Sequence, residues 1–296
     1  MRFTLRQLQV FVAIGQAGNV THAADRIAMS QSAASTALGE LERQFGRPLF
    51  DRVGKRLQLN ELGRSIMPKA LEMLDRAVEL EGLLAGGEGL GTLRLGASLT
   101  IGNYLCPALI DRYLQAHPGA DVKLEIGNTS HITSALTGFD LDLALIEGEI
   151  ADPDLEVSDW LSDELAVFCG PGHPLAAQGK AGIERLLEEK WVVREPGSGT
   201  RQTLDRAMTP WWPRWRIGLE LEHTEAIKGM VAGGRFIGCV SRLALAEPFA
   251  TGSLVEIKTP DLDLHRRFYL LANRRKYRTP GIDAFISLAR KFAAAL

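Results

Sequence analysis

Four short polar side chains, Gln31, Ser32, Ser35 and Thr36, share one face if the stretch SQSAASTALGELER is a helix. Their hydroxyls and single amide are groups that hydrogen-bond base edges and phosphate oxygens in a DNA major groove about 12 Å wide. Downstream, Arg52, Lys55 and Arg56 cluster around Gly54 between two short extended runs. Cations on such a two-stranded wing suit phosphates or a minor groove. A second group of polar residues follows apolar runs of strand character: Ser98 and Thr100, Asn128 and Thr129, Glu147, and Ser198, Gly199, Thr200 and Arg201. Hydroxyls, amides and one arginine at helix starts suit a small anion such as sulfate, sulfite or a carboxylate. Helix capping is the competing role for each loop. Four loops converging beyond the carboxyl ends of strands favour a ligand site. Glu147 fits an anion poorly, so it faces a ligand amine, pairs with Arg201, or closes the cleft.

Other chemistries find no support. His22, His117, His131, His173, His223 and His265 lack HxH or HExxH spacing, and there is no GxSxG or GxxxxGK[ST]. SGT at residues 198 to 200 has no base partner in view. Neither an enzyme nor a metal site is expected, and no cofactor beyond a small effector. Cys106, Cys169 and Cys239 are far apart and form no CxxC pair, which argues against a disulfide framework and a zinc site. Each is expected to be a small buried hydrophobe rather than a redox sensor. The start MRFTLRQLQVF lacks the continuous apolar core of a signal peptide, and no run approaches the roughly 18 apolar residues of a membrane span. A cytoplasmic location is expected.

Ala23, Ala24, Ile27 and Ala28 put small and apolar groups on one face of a helix capped by Thr21, and a second helix opens at Ser30 and carries Ala33, Ala34, Ala37, Leu38 and Leu41. Small residues on both let the backbones cross closely, as a helix-turn-helix requires, although a plain helical hairpin reads similarly. Leu5, Leu8, Phe11, Val12 and Ile14 form a helix that closes a three-helix core. Gly39 costs its helix about 1 kcal/mol relative to alanine, for tight packing or for approach to DNA. Residues 1 to 65 hold nine Lys/Arg (Arg2, Arg6, Arg26, Arg43, Arg47, Arg52, Lys55, Arg56, Arg64) and five Asp/Glu (Asp25, Glu40, Glu42, Asp51, Glu61), a formal +4. The whole chain is −2, so the remainder carries −6, as a nucleic-acid module joined to something else would.

A long helix follows, capped by Asn60 and weakened early by Pro68, with Leu62, Ile66, Met73, Ala77, Leu80 and Leu84 as a seam for a second helix. GGEGLG at residues 86 to 91 is a joint. Beyond it strands and helices alternate, as in a parallel sheet covered by helices. ELAVFCG and HRRFYLLA bracket the second set as hinge strands would. The expected layout is a winged helix-turn-helix at 1–59, a dimerisation helix at 60–86, a hinge at 87–91, one α/β lobe at 92–162 and 267–296, and a second at 163–266. Trp211, Trp212 and Trp215 form an aromatic cluster suited to packing more than to a cleft wall.

LRQLQVFVAIGQAGNVTHAADRIAMSQSAASTALGELERQFGRPLFDR and the following LNELG closely resemble the amino-terminal domain of the LysR-type transcriptional regulators. The resemblance assigns DNA contacts to Gln31, Ser32, Ser35 and Thr36 on the recognition helix and to Arg52, Lys55 and Arg56 on the wing. Thr36 departs from the basic residue that many members carry there. The second half looks like the family's two-lobed effector domain, akin to periplasmic binding proteins. GASLTIGNYLCP, LDLALIEG and EPGSGTR resemble the branch with sulfur-assimilation and carbon-fixation regulators. The implied partners are double-stranded promoter DNA, a small-molecule effector, further copies of the chain as a dimer of dimers, and RNA polymerase. A solute-binding protein without a DNA role and a cryptic enzyme are the alternatives, and the first sixty residues speak against the former.

Overall fold

A computed structural model of the chain describes residues 2–54 and 56–295, so Lys55 lies outside the described residues. The amino-terminal head is built from α1 (Leu5–Ala17), α2 (Val20–Arg26) and α3 (Gln31–Phe45), followed by β1 (Phe50–Val53) and β2 (Arg56–Leu59). Val10, Phe11, Ile14, Ala23 and Ala34 are fully buried between the helices. Alanines at the crossing points let α2 and α3 approach. The Ser30 hydroxyl accepts from the Ala33 amide at 3.2 Å and starts α3 as expected. The cap of α2 is Asn19 rather than Thr21, because Asn19 Oδ1 takes both the Thr21 and His22 amides, at 2.7 and 3.3 Å. The strands β1 and β2 pair antiparallel, with Arg52 opposite Leu57 and Val53 opposite Arg56.

The linker helix α4 (Glu61–Leu84) begins where Asn60 Oδ1 accepts from the Gly63 amide at 2.8 Å, and it runs through Pro68. It leaves Met73, Leu80 and Leu84, all on the expected seam, exposed in the single chain.

The rest is α/β. In chain order come β3 (Thr92–Ser98), α5 (Leu99–Tyr104), α6 (Cys106–Ala116), β4 (Asp121–Gly127), α7 (Thr129–Thr137) and β5 (Leu143–Glu147). Next are β6 (Leu155–Cys169), α8 (Ile183–Leu187), β7 (Trp191–Arg194), α9 (Gly199–Met208), a 3-10 turn (Thr209–Arg214), β8 (Ile217–Leu221) and α10 (Thr224–Ala232). The chain ends in β9 (Ile237–Ser241), α11 (Arg242–Thr251), β10 (Val255–Ile257), β11 (His265–Asn273) and α12 (Pro280–Ala294). The strands hydrogen-bond in the order β4-β3-β5-β11-β6-β9-β7-β8, with β10 also on β6.

Two lobes share that sheet. Lobe I packs Leu95, Leu145 and Phe268 under α6 and α12, and Ile132 and Leu136 of α7 with Ile146 of β5. Lobe II has its own two apolar layers, around Trp191 and Leu204 and around Phe168 and Val231. In place of a separate hinge strand ELAVFCG, one continuous strand, β6, crosses between the lobes. Residues Leu155–Glu164 of β6 pair with β11, and Leu165–Cys169 pair with β9. The Trp residues stay with lobe II: Trp215 is buried edge-on to Trp191 at 6.0 Å, Trp211 packs beside it, and Trp212 is exposed.

Candidate functional site

Two sites emerge. On the head, α3 projects Gln31, Ser32, Ser35 and Thr36 outward, all exposed, while Ala34, Leu38 and Leu41 of the same helix are buried. Arg52 and Arg56 are exposed on the wing and, with Gly54 and Leu57, line a groove shared with Val20 and Thr21 of α2 and its cap Asn19. The Leu57 amide donates to the Gly18 carbonyl at 2.9 Å, which ties the wing to the end of α1. Gly39 lies mid-helix and exposed, and an added Cβ would meet nothing within 4 Å. Tight packing therefore does not require it. Gly39→Ala is expected to stabilise the head by about 1 kcal/mol, the usual helix gain. Thermal unfolding checks this, and a lowered midpoint would contradict it.

The second site lies between the lobes, at the carboxyl ends of β3, β5 and β7. Ser98 ends β3 and Thr100 follows it, and both hydroxyls donate to the Glu147 carboxylate at the end of β5, Thr100 at 3.1 Å. Thr129, first residue of α7, donates to the Glu147 main-chain oxygen at 2.8 Å and accepts from the Gly199 amide of lobe II at 3.2 Å. Ser98, Thr100, Thr129, Glu147, Ser198 and Thr200 are all buried, so the cleft is closed. Gly199 abuts β5 so tightly that a Cβ would sit 2.1 Å from the Glu147 carbonyl oxygen.

Arg266 of β11 sits at the centre and is buried. Its Nε donates to Asp163 Oδ2 at 2.7 Å, its Nη1 to the Thr200 hydroxyl at 2.9 Å and its Nη2 to the Thr100 hydroxyl at 3.4 Å, with Nη1 3.9 Å from Glu147 Oε1. Arg266 and Asp163 are register partners on β11 and β6, so the pair is fixed by the sheet itself. Ser241 donates to the other Asp163 oxygen at 2.9 Å. Two carboxylates and one guanidinium leave this interior with a formal −1. One hydroxyl is unspent: Ser198 Oγ is buried without a partner and does not cap α9.

The expected residues part company here. Ser98, Thr100, Thr129, Glu147, Ser198, Gly199 and Thr200 converge. Asn128 is a cap, its Oδ1 accepting from the His131 amide at 2.9 Å. Arg201 is neither a partner of Glu147 nor free for a ligand. Its guanidinium is held by Asp205 at 2.6 Å, by Glu220 at 2.8 Å and by the Arg194 carbonyl at 2.9 Å. The cation beside Glu147 is Arg266, which sequence reasoning missed together with Asp163 and Ser241. The signal was present in HRRFYLLA, where strand alternation places Arg266 on the side of Phe268 and Leu270.

The cysteines are buried. Burial pushes the Cys106 and Cys239 thiols up to about 12 and Cys169 up to about 11, so none carries thiolate character at neutral pH.

Comparison with known proteins covers both halves of the chain. Residues 5–64 match the model of the bacterial regulatory helix-turn-helix protein, lysR family, and residues 86–294 match the LysR substrate binding domain. The chain is 40% identical over 286 residues to the HTH-type transcriptional regulator YeiE of Escherichia coli, covering 97% of each chain. It is 31% identical over 298 residues to a RuBisCO operon transcriptional regulator of Allochromatium vinosum, covering 100% of this chain and 98% of the relative. Among solved structures, a Synechocystis CcmR regulatory domain in complex with 2-PG matches with TM-score 0.63 and 28% identity, over 68% of this chain and 97% of that one. A winged head with an exposed polar helix, carried on a two-lobed domain closed over a polar cleft, makes the chain a member of the LysR family, a DNA-binding transcriptional regulator with an effector-binding domain.

Proposed function

We propose that a small oxyanion, with sulfite or sulfate first and a carboxylate second, occupies the interlobe cleft and sets how the chain binds its promoter. The observation that carries this is the unpartnered Ser198 hydroxyl at the uncapped start of α9, beside Thr200 and the fixed Arg266. A helix amino terminus with one free hydroxyl and a guanidinium held nearby suits an anion. Glu147 then selects among anions, favouring one that brings its own proton or hydroxyl as a donor. The 2-PG held by the CcmR regulatory domain supports a small ligand in this fold. Bound across both lobes, the effector favours one lobe arrangement over another.

Two heads reading a pseudo-palindromic site need two copies. The exposed Met73, Leu80 and Leu84 of α4, and an apolar groove lined by Phe3, Phe45, Leu62 and Ile66, suit pairing through the linker helix. A dimer of dimers in the cytoplasm, in reach of RNA polymerase, completes the reading. We assign no enzymatic role, in line with the transcriptional regulators that the chain resembles.

Fluorescence anisotropy on duplexes selected from genomic fragments tests the DNA interface. Arg52→Ala is expected to weaken cognate and random duplexes alike and to lower the salt slope by about one. Ser35→Ala is expected to cost about 0.5–1.5 kcal/mol at the cognate site and little elsewhere. Unchanged affinities and slope in both variants would remove this face from the interface.

A further inference from the structure

Between α7 and β5 the chain turns through Gly138, Phe139 and Asp140, and this turn leaves lobe I for the DNA-binding head. Phe139 has φ 64°, a left-handed conformation that an aromatic residue seldom adopts. Its ring is buried as part of the apolar cluster of the head, with Phe11, Ile14 and Ala24, and not in the core of its own lobe. Its carbonyl accepts from Gln16 Nε2 on α1 at 2.8 Å, and its neighbour Asp140 pairs with Arg26, the last residue of α2, at 3.4 Å. The same segment grips the linker helix: Asp142 pairs with Arg94 at 2.8 Å and Lys276 at 2.7 Å, and Arg94 reaches Asp75 of α4 at 3.8 Å.

The other end of this unit lies in the cleft. Helix α7 starts at Thr129, bonded to Glu147 and to Gly199, and β5 ends at Glu147 itself. Between these ends Ile132, Leu136, Ala144 and Ile146 are fully buried in one apolar cluster, so helix and strand form a single packed unit. A single helix-turn-strand, residues 129–147, thus has one end in the cleft and the other inside the head.

We propose that Phe139 is a plug that latches the DNA-binding head onto lobe I of the same chain, and that α7 and β5 are the rod through which the cleft biases the head. The partner surface is the α1 and α2 face around Gln16 and Arg26. Because α2 leads directly into α3, a latch on α2 fixes the direction in which the reading helix points.

Hydrogen exchange on the full chain tests this without knowledge of the effector. Phe139→Ala is expected to raise exchange in α1 and α2 by about tenfold while β3 and β5 keep their protection. Asp140→Arg is expected to raise it about threefold, since an exposed pair holds weakly, and Arg26→Asp combined with Asp140→Arg to restore it. That rescue separates a specific contact from local misfolding. At the far end, Glu147→Gln is expected to alter exchange in the head, and to lose this effect in the Phe139→Ala background. Parent-like exchange of the head in Phe139→Ala, or failure of the swap to restore it, would overturn the latch. An equal effect of Glu147→Gln in both backgrounds, or none in either, would overturn the rod.

Discussion

Arg266→Ala is expected to destabilise the effector domain by about 3–5 kcal/mol, the usual result of removing one partner from a buried ion pair. The loss leaves Asp163 and Glu147 as two buried carboxylates with no cation between them, and leaves the Thr100 and Thr200 hydroxyls without their donor. For a domain of this size that corresponds to a melting temperature lower by about 10 °C. Arg266→Lys keeps the charge but cannot reach Asp163, Thr100 and Thr200 together, so only part of the stability should return. Adding Asp163→Asn and Glu147→Gln to Arg266→Met should recover most of the loss, because the uncompensated charges go with the arginine. Calorimetric or denaturant unfolding separates these cases. If Arg266→Ala unfolded like the parent, the guanidinium would not be the counter-charge of the cleft.

Gly199→Ala is the second large expectation, and its cause is steric. The new methyl group would lie 2.1 Å from the Glu147 carbonyl oxygen and 2.6 Å from its Cγ. Backbone cannot yield there without moving the end of β5 away from the start of α9. Alanine favours the helix by about 1 kcal/mol over glycine, but that gain is small against forcing two lobes apart. The variant should keep a folded head and bind random duplex DNA as the parent does, lose about 2–3 kcal/mol from the effector domain, and give no stabilisation by any anion. A parent-like melting profile with an intact anion response would show that the lobes open freely at this point.

Much of this was legible in the chain because its determinants are local. Ser30 caps α3, Asn60 caps α4, and the spacing of Ala34, Leu38 and Leu41 fixes which face of α3 is left for Gln31, Ser32, Ser35 and Thr36. The strand-end loops were found by the same logic, since hydroxyls at Ser98, Thr100, Thr129 and Thr200 follow apolar runs. What the chain concealed is non-local. Arg201 stands at a helix start, where an anion-binding arginine is expected, yet its side chain runs along α9 to Asp205 and across to Glu220 of β8. The cleft cation comes from a strand that returns sixty-odd residues later, and only its register with Asp163 on β6 brings it in. Asn19 displaced Thr21 as a cap because its carboxamide reaches two amides at once. The contact of Phe139 with the head left no sequence signal, since one aromatic residue in a turn does not say whose core it enters.

We propose above that a small anion seated between the lobes controls this regulator. A thermal-shift measurement of the full chain with sulfite, sulfate and small carboxylates tests it most directly, on the parent and on the Thr100→Val, Thr200→Val double variant. At a hundredfold excess over its dissociation constant, a true ligand contributes about 2.7 kcal/mol, a rise of about 5–10 °C. That rise is expected in the parent for at least one anion, and its absence in the double variant. A panel that shifts neither protein, or a shift that survives both substitutions, would contradict it.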